Sequence, residues 1–147
     1  MIGDLGSYVQ ATMYLSRDAG MAGILQNLRT STTLIQIRIN TGCDDRFVKA
    51  TLTINWDPTC SLYCSKSNCS ISPALSLGHE LAHAFHYLND KPGMMQRTNI
   101  PDPDFDNGEE QFTIQGPENN AAITLRECQR SSHHGGTAAV ATPLSTP

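Results

Sequence analysis

Residues 75–88, LSLGHELAHAFHYL, decide how the rest of the chain is read. The run sets His79, Glu80 and His83 in the order HExxH among Leu75, Leu77, Leu81, Ala82, Ala84 and Phe85, with no other carboxylate inside it. On a helix, positions i and i+4 share a face about one turn apart, so His79 and His83 can turn imidazole nitrogens toward one ion. Glu80 leaves the helix about 100° round from His79. It can therefore reach a water on that ion without taking a metal position itself. That is the geometry of a general base: zinc lowers the pKa of a bound water toward about 7, and the carboxylate takes its proton as it attacks a peptide carbonyl. A core helix with satisfied histidines is the rival reading of so short a pattern. The apolar remainder, which anchors the other face in a core, favours the catalytic one. His86, three residues beyond His83, reads as a pocket-wall or surface residue.

A catalytic zinc needs a third protein ligand. Asp90 lies seven residues past His83, at a Pro-Gly turn, and Glu109 and Glu110 open the segment EEQFTIQG. Glu110, with Thr113 three residues on, is the favoured ligand; Glu109 and Asp90 are the alternatives. The acidic run DPDFDNGEE imitates the start of a calcium loop through Asp102, Asp104 and Asp106. It lacks the required residues, because Asn107 and Thr113 stand where Gly and Glu are needed. It reads as a solvated acidic loop near the metal.

Outward from this centre, residues 7–29 carry apolar residues at spacings near three and four and predict an amphipathic helix, bent at Gly20 or Gly23. TTLIQIRIN and FVKATLTINW predict two strands paired as a hairpin. The Ser- and Cys-rich stretch 59–72 reads as a loop, and Ser72 with Pro73 starts the central helix at 73–88. Residues 91–108 read as an ordered loop or lid, 108–114 as a short helix, and ENNAAITLRECQR as a third helix. The last residues, SSHHGGTAAVATPLSTP, have no core-forming period and read as a disordered tail.

A length of 147 residues suits one domain. The net charge of −4, with ten Lys and Arg, gives no basic surface for nucleic acid or anionic membrane. No apolar run is long enough to span a bilayer, and the N-terminus lacks the pattern of an export signal. The expectation is a soluble monomer. Of the five cysteines, Cys60, Cys64 and Cys69 cluster as CSLYCSKSNC, open to a disulfide loop, part of a structural zinc site, or reduced thiols. CxxxC and CxxxxC spacings are poor zinc pairs, so reduced cysteines are expected.

In order, TINWDP, LSLGHELAHAFHYL, EEQFTIQG and PENNAAITLRE resemble the NleD-like zinc metallopeptidase effectors, which bacterial pathogens of plants and animals inject through type III secretion systems as virulence proteins. The resemblance covers about residues 50–128. It implies a minimal zincin of class α+β: a small β-sheet packed against an N-terminal helix and the HExxH helix, with a further helix carrying the third ligand. This domain would span residues 1–130, with the tail at 131–147. It implies Zn2+ held by His79, His83 and a glutamate of the 109–110 pair, Glu80 as base, and structural or cleft-shaping roles for Asn119 and Arg126. The implied substrate is a host protein, with a signalling kinase as the family's example, met in the host cytoplasm. A reducing cytosol supports free thiols. The rival is a Cys- and His-rich metal-binding interaction module that cuts no bond.

Overall fold

The computed structural model describes residues 2–147, with side chains from Leu5 onward. It is a small mixed α+β domain arranged around one buried helix, α3 (Pro73–Asn89). Ser72 caps α3 by accepting from the Leu75 amide, and Pro73 takes the first turn, where no amide hydrogen is needed. Asp90 ends α3.

Two helices, α1 (Ile2–Leu15) and α2 (Ala19–Thr30), cover one side of α3. The break between them falls at 16–18 rather than at Gly20 or Gly23, because the Asp18 carboxylate accepts from Met21 N (2.9 Å) and starts a new helix. Gly78 lets α3 approach closely: a Cβ there would lie 3.0 Å from Leu15 Cδ2 and 3.2 Å from Met21 Cε. Leu15, Met21, Leu75 and Leu77 are fully buried around this contact; each such side chain contributes roughly 2 kcal/mol.

On another side lie β1 (Gln36–Ile39), β2 (Arg46–Val48) and β3 (Thr53–Trp56), in the order β1-β3-β2. The expected hairpin is not formed. β1 runs parallel to β3, and the antiparallel partner of β3 is β2. β3 has three of its four residues buried and takes the centre, while the intervening loop is drawn to its C-terminal end by Cys43 N donating to Asp57 Oδ2 (3.1 Å). Trp56 Nε1 donates to Pro73 O (2.8 Å), tying β3 to the start of α3.

The stretch 59–72 is not a loop. It forms β4 (Cys60–Cys64) and β5 (Cys69–Ile71), an antiparallel pair closed by Asn68 at φ 55°, a left-handed position that Asn tolerates. Nor is the C-terminal segment a disordered tail: β8 (Gly135–Ala139) pairs with the other edge of β4. Backbone hydrogen bonds hold it, so its lack of apolar side chains is no obstacle. Gly135 is required there, since a Cβ would run into the Tyr63 carbonyl. Residues 91–108 also carry structure, namely α4 (Lys91–Thr98) and the short pair β6 (Pro101–Asp102) and β7 (Asp106–Asn107). Then come α5 (Gly108–Thr113), a widened turn at Ile114–Glu118 kinked at Gly116, and α6 (Asn119–Leu125).

The expectation of reduced cysteines is overturned. Cys43 is bonded to Cys60 and Cys69 to Cys128, across 17 and 59 residues of chain, and Cys64 is the free, buried thiol. Cys43 lies in the loop after β1 and Cys128 beyond α6, and the fold brings each to a cysteine of the β4–β5 pair, which spacing along the chain does not reveal.

Candidate metal centre

The buried helix α3 turns His79 and His83 toward α5, where Asn107 sets the register. Its side chain accepts from Glu109 N (2.9 Å) and Glu110 N (3.1 Å), starting the helix with both glutamates in the first turn. Gly108 is needed because a Cβ would lie 3.0 Å from Arg97 O. Glu110 Oε2 thereby comes to 2.9 Å from His79 Nε2 and 3.2 Å from His83 Nε2, and the two Nε2 atoms are 2.9 Å apart. Three donor atoms converge on one point.

The far side of each ring is also engaged. His79 Nδ1 lies 2.7 Å from Glu118 Oε2 and His83 Nδ1 3.2 Å from Glu109 Oε1. A carboxylate only accepts, so each Nδ1 can donate to the glutamate behind it, which leaves Nε2 free to present a lone pair when a cation sits among Nε2 and Glu110. Where Nε2 carries no hydrogen, two lone pairs and a carboxylate oxygen at one point repel one another unless a cation joins them. Ligands about 2.0–2.2 Å from a tetrahedral ion stand about 3.3 Å apart, close to the separations here. Groups able to hold a metal ion occur here as His79, Glu110 and His133 and as His83, His86 and Glu109, each with donor atoms within 4.8 Å of one another.

The electrostatics agree. Burial disfavours a charged His79, but Glu110 and Glu118, with Glu80 nearby, outweigh it and raise the ring to about 10. His83 is also raised: burial and the His79 charge oppose its proton, while Glu109 and Glu110 hold it. Carboxylates that attract a proton this strongly attract a divalent cation by the same field. Burial works against ionised Glu110, yet the two imidazoles keep it well below the usual carboxylate range.

Glu80 lies beside the convergence and outside it. Its Oε1 is 3.9 Å from His79 Nε2, and its Oε2 accepts from Phe47 N (2.7 Å) on β2. A cleft of about 260 Å³ opens in front, lined by Glu80, His83, Glu110, Phe47, Lys49 and His133 among others. Asp45 also borders it; burial raises its carboxyl to about 7, with Glu80 and Asp57 adding to the effect against hydrogen bonds from Ser76 and the Asp57 amide.

The other candidate residues are engaged elsewhere. Asp90 caps α4 through Gly93 N (3.2 Å) and pairs with Arg97 (3.2 Å). Glu109 backs His83, and it also meets His86 Nδ1 (2.6 Å) and accepts from Arg97 Nε (2.6 Å). Thr113 Oγ1 is 3.4 Å from His83 Nδ1. His86 is buried in this network rather than on the surface. Asn119 has a structural role, donating to Arg130 O (3.0 Å), whereas Arg126 is exposed in the left-handed turn (φ 58°) that ends α6.

Three residues were not foreseen. Glu118, fully buried, receives a two-pronged grip from Arg130: Nε to Oε1 at 2.7 Å and Nη2 to Oε2 at 2.6 Å. Burial works against the Glu118 charge, but Arg130 and His79 bring its pKa down to about 2. His133 faces the same place, with Nε2 3.5 Å from Glu110 Oε2 and its ring nearly parallel to that of His79. Both Arg130 and His133 sit on a segment stapled to the β4–β5 hairpin by the Cys69–Cys128 bond, by Ser131 N donating to Ser67 Oγ (2.8 Å) and by Ser65 N donating to His134 O (3.2 Å). The glutamate in PENN, next to the noted Asn119, was the one signal in the sequence that could have identified any of them. Comparison of the chain with protein-family models, curated proteins and solved structures finds no match.

Proposed function

We propose that this chain is a zinc-dependent endopeptidase of the NleD-like kind, with a minimal zincin fold, acting on a host protein. The observation that carries the reading is the convergence of His79 Nε2, His83 Nε2 and Glu110 Oε2, each imidazole backed by a carboxylate, beside a carboxylate that stays out of the triad. Two imidazoles and one carboxylate form a donor set suited to zinc, and leave a tetrahedral ion one further position. Zinc, when bound, supplies a Lewis acid that polarises the scissile carbonyl and acidifies water.

The chain's own residues do the rest. Glu80 takes a proton at Oε1, because Oε2 is occupied by the Phe47 amide. Glu118 and Glu109 keep the rings of His79 and His83 turned toward the ion. Phe47 and Lys49 line the cleft where substrate would lie. A signalling kinase as substrate, action as a monomer and delivery into host cytoplasm by type III secretion follow from the resemblance and belong to the same proposal. The rival interaction module is weakened by the disulfides, which remove four of the five cysteines from metal binding.

Glu80→Gln tests the reading. The variant should hold one equivalent of zinc and melt as the wild type does, while new host-protein termini produced on exposure to a host lysate fall by about 10²–10⁴-fold in rate. Undiminished cleavage by Glu80→Gln, or a wild type that takes up no zinc, would sink it.

A further inference from the structure

His133 follows the same pattern as His79 and His83. All three rings have Nδ1 against a carboxylate: Glu118 at 2.7 Å for His79, Glu109 at 3.2 Å for His83, Asp106 at 2.6 Å for His133. All three turn Nε2 toward the same atom, Glu110 Oε2, at 2.9, 3.2 and 3.5 Å. His79, Glu110 and His133 offer donor atoms that all lie within 4.8 Å of one another. A carboxylate behind Nδ1 can hold a hydrogen there, which suits Nε2 to give its lone pair to a metal, the arrangement of metal-bound histidines.

The acidic loop is what orients His133. Asp102 Oδ1 accepts from Asp104 N (2.8 Å) and Phe105 N (2.9 Å), folding the loop so that Asp106, at φ 70°, turns its carboxylate outward. Asp104 O then accepts from His133 N (2.9 Å), and Asp106 holds His133 Nδ1 and lies 3.2 Å from His134 Nε2. Three acidic residues that resemble a calcium loop in sequence thus serve to aim an imidazole.

We propose that His133 Nε2 is a fourth protein ligand of the metal centre, enclosing the ion with His79, His83 and Glu110 in the substrate-free protein. This rests on the metal-centre reading above and adds a gate to it. Four protein ligands close a tetrahedral site, whereas hydrolysis needs an open position. His133 is the ligand able to yield one: His79 and His83 are fixed on the buried helix α3, while His133 lies on an irregular segment with its Asp106 pair partly in solvent.

The test uses the full chain loaded with cobalt(II), its proton NMR spectrum recorded in water. Exchangeable, hyperfine-shifted Nδ1–H signals count the coordinated imidazoles directly. The wild type should show three and His133→Ala two, and in competition with a chromophoric chelator His133→Ala should lose more than about 100-fold in zinc affinity, beyond the 10–100-fold typical of outer partners. The count in the wild type does not depend on how the variant folds. Two signals in the wild type, or equal affinity of the two proteins, overturns the fourth ligand and leaves the three-ligand enzyme standing. A wild type that binds no cobalt overturns both.

Discussion

Glu118 is the residue on which stability and metal binding both bear, and the two can be separated. It is fully buried, gripped by Arg130 at 2.6 and 2.7 Å and set against His79 Nδ1 at 2.7 Å. Glu118→Leu alone strands the buried Arg130 guanidinium, at a cost of about 3–5 kcal/mol. At about 2–4 °C per kcal/mol for a domain of this size, the melting temperature should fall by about 10 °C. It also removes the acceptor that holds the His79 hydrogen on Nδ1, so zinc affinity should fall about 10–100-fold. The double variant Glu118→Leu/Arg130→Met removes both charges and replaces them with apolar groups. Exchanges of this kind are often neutral or stabilising, so folding should recover most of the loss. Zinc affinity should not recover, since His79 still lacks its carboxylate. Thermal melts of the metal-free proteins and zinc competition read the two quantities separately. A double variant that regains wild-type affinity would refute the claim that Glu118 orients His79.

The remaining predictions concern the neighbours of the site. Glu110→Ala should abolish tight zinc binding, Glu109→Ala should weaken it about 10–100-fold by freeing the His83 ring, and Asp90→Ala should leave it unchanged; zinc titrations of the three variants rank them. For Asp45, the folded-state pKa is raised from 3.8 to about 7, so the folded protein binds more protons there and stability falls as pH rises from about 4 to about 7. Asp45→Asn should remove that part of the slope in melts across this range. Cys43→Ser and Cys128→Ser should lower stability by about 3 and about 4 kcal/mol, from closed loops of 17 and 59 residues. Cys128→Ser should also weaken zinc binding, because it loosens the segment carrying Arg130. The fully reduced wild type should bind zinc more weakly by the same cause, and action in a reducing cytosol requires that it still hold the ion.

What could be read in the sequence was whatever depends on neighbours along the chain. α3 announces itself through Ser72, Pro73 and its apolar spacing, and α5 through the turn residues before Gly108. The break between α1 and α2 was misplaced because Gly20 and Gly23 look weaker than they are; the decisive group is the Asp18 carboxylate. α4 was hidden by Pro92 and Gly93, yet Pro in a first turn is harmless and Asp90 supplies the cap. β4, β5 and β8 were hidden because Ser, Cys and Gly blur the two-residue alternation that marks a strand, and backbone pairing with β4 does the holding. The site divides in the same way. His79, Glu80 and His83 follow from helical spacing, and Glu110 from a short segment nearby. Arg130 and His133 reach the centre across a disulfide joining residues 59 apart, and no local pattern encodes that.

The charge around the centre bears on what the proposed site would hold. Glu80, Glu109 and Glu118 are buried and Glu110 is half-buried, while Arg97 and Arg130 are the guanidiniums facing them. With both imidazoles neutral, these four carboxylates against two guanidiniums would leave an excess of two negative charges. Burying such an excess is costly unless something neutralises it. Two protons on His79 and His83 would do so, which is why both rings have raised affinity for them. A single divalent cation would do so as well, and it alone also satisfies the three lone pairs that meet at Glu110 Oε2 without setting two positive rings with their Nε2 atoms 2.9 Å apart. Proton and metal would therefore compete for one balance of charge, so zinc uptake by the proposed centre should release protons from His79 and His83 and weaken as pH falls.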